Sequence, residues 1–254
     1  MMNEKRREEM ARKIQAMARY GGFGGATVLE IGADRDSISA RMLLDAGAAR
    51  VISTNFRSDW PEGTEGAIER RRLDAREIGE RFAAASLDAV FGVAVLEHID
   101  GLERFFSGVA KAMRPGGLMY AHGGPIWSSS RGHHVVVTGE TRSYRFGVNE
   151  LNPIPDWAHL HLSRSEMIDT LTARDVPPGD AEKIAFFVYD GDEVNRKGYR
   201  AICDAFDASE LKLVERLDNA FKPPPPELLA KIERGAYGGE QRYEVSGVTF
   251  VARA

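Results

Sequence analysis

Short apolar runs interleaved with segments of helical spacing fill the first half of the chain, and this alternation constrains its fold more than any other feature. Thr27 to Ile31 is a β-rich run closed by Gly32, and Ser37 to Ala46 then places Ile38, Met42 and Leu43 at helical spacing. Gly47 breaks that helix. Arg50 to Asn55 reads as a second strand, Leu87 to Val95 as another, and Leu102 to Met113 as a helix ended by Pro115, Gly116 and Gly117. Leu118 to His122 is a further strand. Strands that are apolar nearly throughout and alternate with helices predict a parallel sheet covered on both faces.

The flanking segments are of other kinds. Residues 4–19 carry Met10, Ile14 and Met17 at helical spacing among charges, which predicts an amphipathic N-terminal helix within residues 1–20, stopped by Gly21, Gly22, Gly24 and Gly25. Residues 123–161 are crowded with Gly, Pro, Trp, Ser and His and show no periodicity before a short helix at Ser163 to Ala173. A long irregular stretch of this kind is usually functional. Lys183 to Asp190 reads as a strand or buried segment, Asn195 to Phe206 as a helix, and Pro223 to Pro226 as an extended surface loop. Leu211 to Leu217 and the alternating run Tyr243 to Ala252 predict an antiparallel edge hairpin.

Composition narrows the function classes. Of 254 residues, 34 Lys plus Arg against 38 Asp plus Glu leave a net charge of -4, too little positive charge for a dedicated nucleic-acid binder. The single cysteine, Cys203, excludes an intramolecular disulfide framework and any multi-cysteine zinc site. No secretory signal is read in Met1 to Tyr20, and no stretch approaches a membrane span, so the expectation is a cytoplasmic protein with no membrane partner.

The segment VLEIG, Val28 to Gly32, turns a strand into a helix and so sets Glu30 and the following backbone N–H groups at a crevice of the kind that binds nucleotides. Further blocks follow in order: Asn55 at the end of the second strand, Asp74 in RRLDARE, Glu97, His98 and Asp100 after VAVL, and KAMRPGGLMYAH as helix, turn and strand. Together these blocks, over about residues 25–125, resemble the class I S-adenosylmethionine-dependent methyltransferases. Later segments, GPIWSSSRGHHV, DWAHLHLSRSEM and YEVSGVTFVARA among them, resemble the post-core region of bacterial members that act on small molecules under a substrate lid. The resemblance implies one domain over residues 1–254, α/β and Rossmann-like, with a doubly wound, mostly parallel seven-stranded sheet. An antiparallel C-terminal edge hairpin and lid segments at 123–165 and 183–207 complete it.

It also implies S-adenosylmethionine as cofactor. By position, Glu30, Gly32 and Ala33 contact its methionine and ribose end, and Asn55 and Phe56 flank ribose and adenine. Asp74 and Ala75 match the adenine-amino block, and Val93, Ala94 and Val95 match the segment lining the cofactor. Two departures stand out. The glycine motif runs Gly32-Ala33-Asp34-Arg35-Asp36, with its later glycines replaced, and Asn55 stands where an acidic residue would accept both ribose hydroxyls. An amide lacks the charge-assisted strength of a carboxylate.

Four of six histidines fall in the lid: His133, His134, His159 and His161. A histidine is the natural general base for a hydroxyl or amine that attacks a methyl sulfonium, so His133 or His134 is the candidate catalytic group. His159 and His161, taken as strand neighbours, point to opposite faces. Trp127, Tyr144 and His159 are candidate substrate-binding residues, with Phe146, Trp157 and Tyr120 near the same aromatic wall. Arg70, Arg71 and Arg72 read as a solvated charged loop. No metal ligand is assigned. The expected reaction is methyl transfer to an oxygen or nitrogen of a small-molecule acceptor. Its rivals are a non-catalytic or repurposed scaffold and a metal-dependent enzyme using the lid histidines. The N-terminal helix can cover its own domain or a partner's, which leaves a homodimer open.

Overall fold

A computed structural model describes residues 4–21, 23–239 and 242–254. Met1 to Asn3 of the N-terminal helix reading, and Gly22 of its glycine stop, lie outside the described residues. Contacts divide the chain into two compact units, residues 1–123, 204–217 and 249–254 in the first, and 124–203 and 218–248 in the second.

The first unit follows the alternation in the sequence. Helix α1 (Glu4–Ala18) buries Met10, Ile14 and Met17, the stripe read from its spacing. Strand β1 (Thr27–Ile31) leads to α2 (Ile38–Asp45), and β2 (Arg50–Asn55) to a charged pair of strands, β3 (Gly63–Glu65) and β4 (Ile68–Arg72). After the short α3 (Ile78–Arg81) come β5 (Leu87–Gly92), α4 (Leu102–Ala112) and β6 (Met113–Gly123). β1 pairs in parallel with both β2 and β5, β2 with β4, and β5 with β6, while β3 runs antiparallel on the edge. Val28, Leu43, Val51, Phe91, Tyr120 and Val251 belong to one buried apolar cluster with the α1 stripe.

The sheet has eight strands in the order β3-β4-β2-β1-β5-β6-β10-β9, with β9 (Lys212–Ala220) and β10 (Val245–Arg253) from the end of the chain. Ala254 exchanges backbone hydrogen bonds with Gly116 and Gly117 at the start of β6, so β10 runs against β6. The doubly wound α/β class is thus as expected, with one strand more than the seven counted. The extra strand and its partner correct the reading of Arg70 to Arg72 as a loop. All three lie in β4, where Arg70 donates to Ser37 Oγ at 2.8 Å and pairs with Glu65. Its three consecutive arginines break the apolar pattern of a buried strand, which hid it from the periodicity.

The second unit holds a hairpin of β7 (Val136–Thr138) and β8 (Ser143–Arg145), then α5 (Ala158–His161), α6 (Arg164–Thr172), α7 (Pro178–Tyr189), α8 (Tyr199–Asp207, which runs on into residues of the first unit) and α9 (Pro226–Glu233). Ser163 caps α6 through a capping box with Glu166, a sequence-local signal that fixes its start. Two expectations are corrected. Lys183 to Asp190 is helical, because the apolar repeat begins earlier: Ala181, Ile184, Ala185 and Val188 are the buried face of α7. His159 and His161 sit on a helical turn, not a strand; they still diverge, His159 being buried and His161 half-buried. Pro226 opens α9, so the proline run is a helix start as well as an extended segment.

Candidate active site

The parallel register brings three loops to one edge of the sheet. Ile31 lies opposite Thr54 on β2 and Gly92 on β5, so Gly32, Asn55 and Val93 all follow at the carboxyl ends of adjacent strands. Gly32 has φ +71°, and a Cβ there would lie 2.6 Å from Val95 Cγ1. No other residue fits this turn without displacing Val95. The turn after β5 is held from beneath: Ala94, at φ +55°, donates its N–H to His122 Nδ1 at 3.3 Å, and Val95 N–H donates to the His122 carbonyl. Burial, with Lys13 beside it, pushes His122 down to about 3, so the ring is a neutral acceptor for that amide. Val93, Ala94 and Val95 are therefore a turn past the end of β5, not strand as read.

Glu30 is buried under the same loops. It accepts from Ser53 Oγ at 2.8 Å, and burial pushes its carboxyl up to about 7 against the opposing hydrogen bonds of Ser39 and Ser53. Asp34 explains one departure from the glycine pattern. Its carboxylate accepts from the backbone N–H groups of Asp36, Ile38 and Ser39 and from Ser39 Oγ, at 2.7 to 3.1 Å. Burial opposes its charge, but those donors outweigh it and hold the group below the usual carboxylate range. The N-terminal end of α2 is thus capped by the chain's own carboxylate, which takes up backbone N–H groups that the turn directs at the crevice.

Asn55 is engaged as well. Its Nδ2 donates to the Ala33 carbonyl at 3.0 Å and its Oδ1 accepts from Arg57 N–H at 3.2 Å, so the side chain ties the β1 and β2 loops together. Beside it Phe56 is 64% exposed. A cleft of about 750 Å³ is lined by Phe56, Arg71, Arg72, Asp74, Arg81 and Phe82 among others. Asp74 caps the next turn and pairs with Arg76, whose hydrogen bonds hold its carboxyl low, while Ala75 is buried.

In the second unit the histidines and tryptophans meet. The rings of Trp127 and His159 touch edge to face at 4.7 Å, and those of His133 and His159 at 5.4 Å. His159 Nε2–H donates to the Trp127 carbonyl at 2.8 Å, and burial pushes the ring down to about 3. Val135 N–H donates to His133 Nδ1 at 3.2 Å, which puts the His133 proton on Nε2, and burial holds this ring well below its ordinary value too. His134, at φ +51°, instead donates Nδ1–H to the Gly132 carbonyl at 2.9 Å. Its lone pair is therefore on Nε2. Trp127 Nε1, His133 Nε2 and His159 Nδ1 are buried without a hydrogen-bond partner. Tyr144 is fully buried with its hydroxyl on Asp180 Oδ2 at 3.1 Å and Arg142 over its ring, so its surroundings are packing, in place of the open substrate wall expected.

Several of these groups were not singled out from sequence. Asp34 stands four residues before Ile38, outside the position of a capping residue, so no spacing marked it. Asp180 follows Pro177 and Pro178, a helix-start signal. Arg196, whose guanidinium lies 5.8 Å from the Trp127 ring centroid, carried no signal.

The sheet order and the glycine turn at the end of its first strand define a class I methyltransferase fold. Residues 29–121 match the family model described as a methyltransferase domain. Among solved structures, an S-adenosylmethionine-dependent methyltransferase from Mesorhizobium loti is similar at 15% identity, 96% of each chain and a TM-score of 0.56. Geranyl diphosphate C-methyltransferase from Streptomyces coelicolor is similar at 13% identity, 98% of this chain, 79% of that chain and a TM-score of 0.54. The [4+2]-cyclase SpnF is similar at 12% identity, 96% of this chain, 80% of that chain and a TM-score of 0.53. No curated protein sequence matches. Residues 29–121 thus match a methyltransferase domain, and over nearly its whole length the chain shares the fold of these solved structures. Among the described residues, no helix is long and apolar enough to cross a membrane.

Proposed function

We propose that the protein, acting as one enzyme domain in the cytoplasm, transfers a methyl group from S-adenosylmethionine to an oxygen or nitrogen of a small-molecule acceptor. The residues past the ends of β1, β2, β4 and β5 suit the donor. Gly32 leaves a cradle that a Cβ would fill, Phe56 presents an exposed ring for adenine, and Asp74 lines the cleft beside it. Glu30 and Ala33 stand at the methionine and ribose end, and Val93, Ala94 and Val95 form the facing turn. Asn55 positions these loops on each other, a role distinct from holding ribose hydroxyls. When bound, the donor supplies an electrophilic methyl carbon on a sulfonium sulfur, and the electron pair of the broken carbon–sulfur bond returns to sulfur.

His134 is the base in this reading. What supports the assignment is its hydrogen bond from Nδ1–H to the Gly132 carbonyl, which makes Nε2 the basic nitrogen of the neutral ring. His133, with its proton on Nε2, donates rather than accepts, so it orients an acceptor heteroatom. His159 and Trp127 build the wall next to it, and Tyr144 supports that wall from within the core. Incubation with methyl-labelled S-adenosylmethionine and separate panels of alcohols and amines tests the reading. Label in an acceptor, lost in His134→Asn, is the expected result, whereas donor binding without transfer to any acceptor overturns it.

A second reading has its own observation. Asp34 closes the α2 terminus and Asn55 is engaged with the loops, so a repurposed scaffold without methyl transfer also suits these residues. Failure to bind the donor at all is its signature.

A further inference from the structure

Helix α1 climbs one face of the sheet toward the edge that carries Gly32 and Ala94. Its lower end is held at the opposite edge, where Arg253 donates to the Tyr20 carbonyl and, at 2.8 Å, to the Gly116 carbonyl near the start of β6. Ile14 and Met17 then pack in one cluster with Val28, Tyr120 and Val251. A helix rises about 1.5 Å per residue and a strand about 3.3 Å, so going back from Tyr20 to Lys13 covers about 10 Å of the roughly 20 Å between Gly116 and His122. The Lys13 side chain leans toward the helix N-terminus and so extends further the same way. Its charge accordingly acts on buried His122, the ring that accepts the Ala94 N–H beneath the turn after β5.

The surroundings of Lys13 are those of a binding group. Its side chain is only 13% exposed, and its ion pair with Glu9 is long, at 3.7 Å. Burial lowers its hold on the proton, and the charges of Glu9 and Glu97 act the other way. A shielded ammonium among carboxylates is a mixed-charge surround, which suits a ligand that carries a carboxylate and an ammonium together.

The methionine end of S-adenosylmethionine is such a group. A helix N-terminus is a ready seat for a carboxylate, but Asp34 already takes the Ile38 and Ser39 N–H groups of α2, and buried Glu30 stands under the same loops. The donor's carboxylate therefore requires a cation from another element. We propose, resting on the reading of this crevice as the donor site, that Lys13 Nζ pairs with the carboxylate of the donor's methionine end, which makes α1 part of that site.

Calorimetric titration of the full chain with S-adenosylhomocysteine and with its decarboxylated analogue, which keeps the ammonium and lacks the carboxylate, is the test. The parent should bind the first about 10- to 100-fold more tightly. Lys13→Met should lose that factor for S-adenosylhomocysteine and lose nothing for the analogue, and Lys13→Arg, which keeps the charge, should retain most of it. The ratio of the two affinities on one sample cancels any shared loss of folded protein, so it separates pairing from a structural role. Equal binding of both ligands to the parent overturns the proposal and leaves the methyl-transfer reading standing. A Lys13→Met variant that keeps the parent's ratio does the same, whether or not both affinities fall. Absence of heat from S-adenosylhomocysteine with the parent overturns the proposal and the donor site together.

Discussion

The two units bury polar groups in different ways. In the first, a largely aliphatic core sits among parallel strands, and the buried polar side chains Glu30, Ser53 and His122 lie at strand ends, each hydrogen-bonded to a loop or neighbouring strand. In the second, the cluster holds Trp127, Tyr144, Trp157 and Tyr243, with His133, His159 and Asp180 buried among its elements. A sheet supplies backbone hydrogen bonds to every strand and leaves side chains free to be apolar. Irregular chain must satisfy its backbone with side chains, as the Asp180 carboxylate does for Glu140 N–H and as the Tyr243 carbonyl does in accepting from Trp157 Nε1.

Substitutions separate the two. The largest effect is expected at His134→Asn, chosen because asparagine tolerates the positive φ: methyl transfer falls about 10²- to 10⁴-fold while donor affinity stays, as read by single-turnover assay and calorimetry. An equal loss of donor affinity breaks the division of labour. Gly32→Val should act on the first unit, with a loss of about 2 to 4 kcal/mol in urea unfolding and no donor binding, through strain at φ +71° and the clash with Val95.

Protonation gives Glu30 and His159, one from each unit, a contrast in sign. Glu30 is raised from 4.5 to about 7, so the folded state holds its proton more tightly. The stability it contributes is full below pH 4.5, falls by about 3 kcal/mol as pH rises to 7, and is flat above. His159 is lowered from 6.5 to about 3, so its contribution is full above pH 6.5 and is lost as pH falls toward 3. Unfolding against pH should show the alkaline slope vanish in Glu30→Gln and the acid slope shrink in His159→Gln. The smallest effect is expected at Asn55→Asp, where a carboxylate faces the Ala33 carbonyl oxygen. A loss of about 1 kcal/mol in thermal unfolding is predicted, although the acidic residue restores the family pattern. Tighter donor binding with unchanged stability would return Asn55 to the ribose role.

The difference between the units also governed what the sequence disclosed. β1 and β2 were legible to the residue because β-branched residues crowd both, Thr27, Val28 and Ile31 in the first and Val51, Ile52 and Thr54 in the second. β4 was not, since at Ile68–Arg72 three arginines occupy a strand near the edge. α7 was misread because Phe186, Phe187 and Tyr189 favour strands locally, while the face that packs, Ala181 to Val188, has a helical period. The positions of the cofactor residues followed from block order. Their contacts did not: that Asp34 would cap α2 and Asn55 would tie two loops depends on backbone geometry that no spacing encodes. Residue type marked the lid histidines, but only the partners of each ring nitrogen sort His134 from His133.

Calorimetric titration of the tag-free protein with S-adenosylmethionine and S-adenosylhomocysteine, alongside Gly32→Val, is the measurement that decides whether the strand-end edge holds the donor. Micromolar binding of both ligands to the parent and none to the variant is predicted. No heat with either ligand at millimolar concentration, and an unchanged melting temperature, would contradict it.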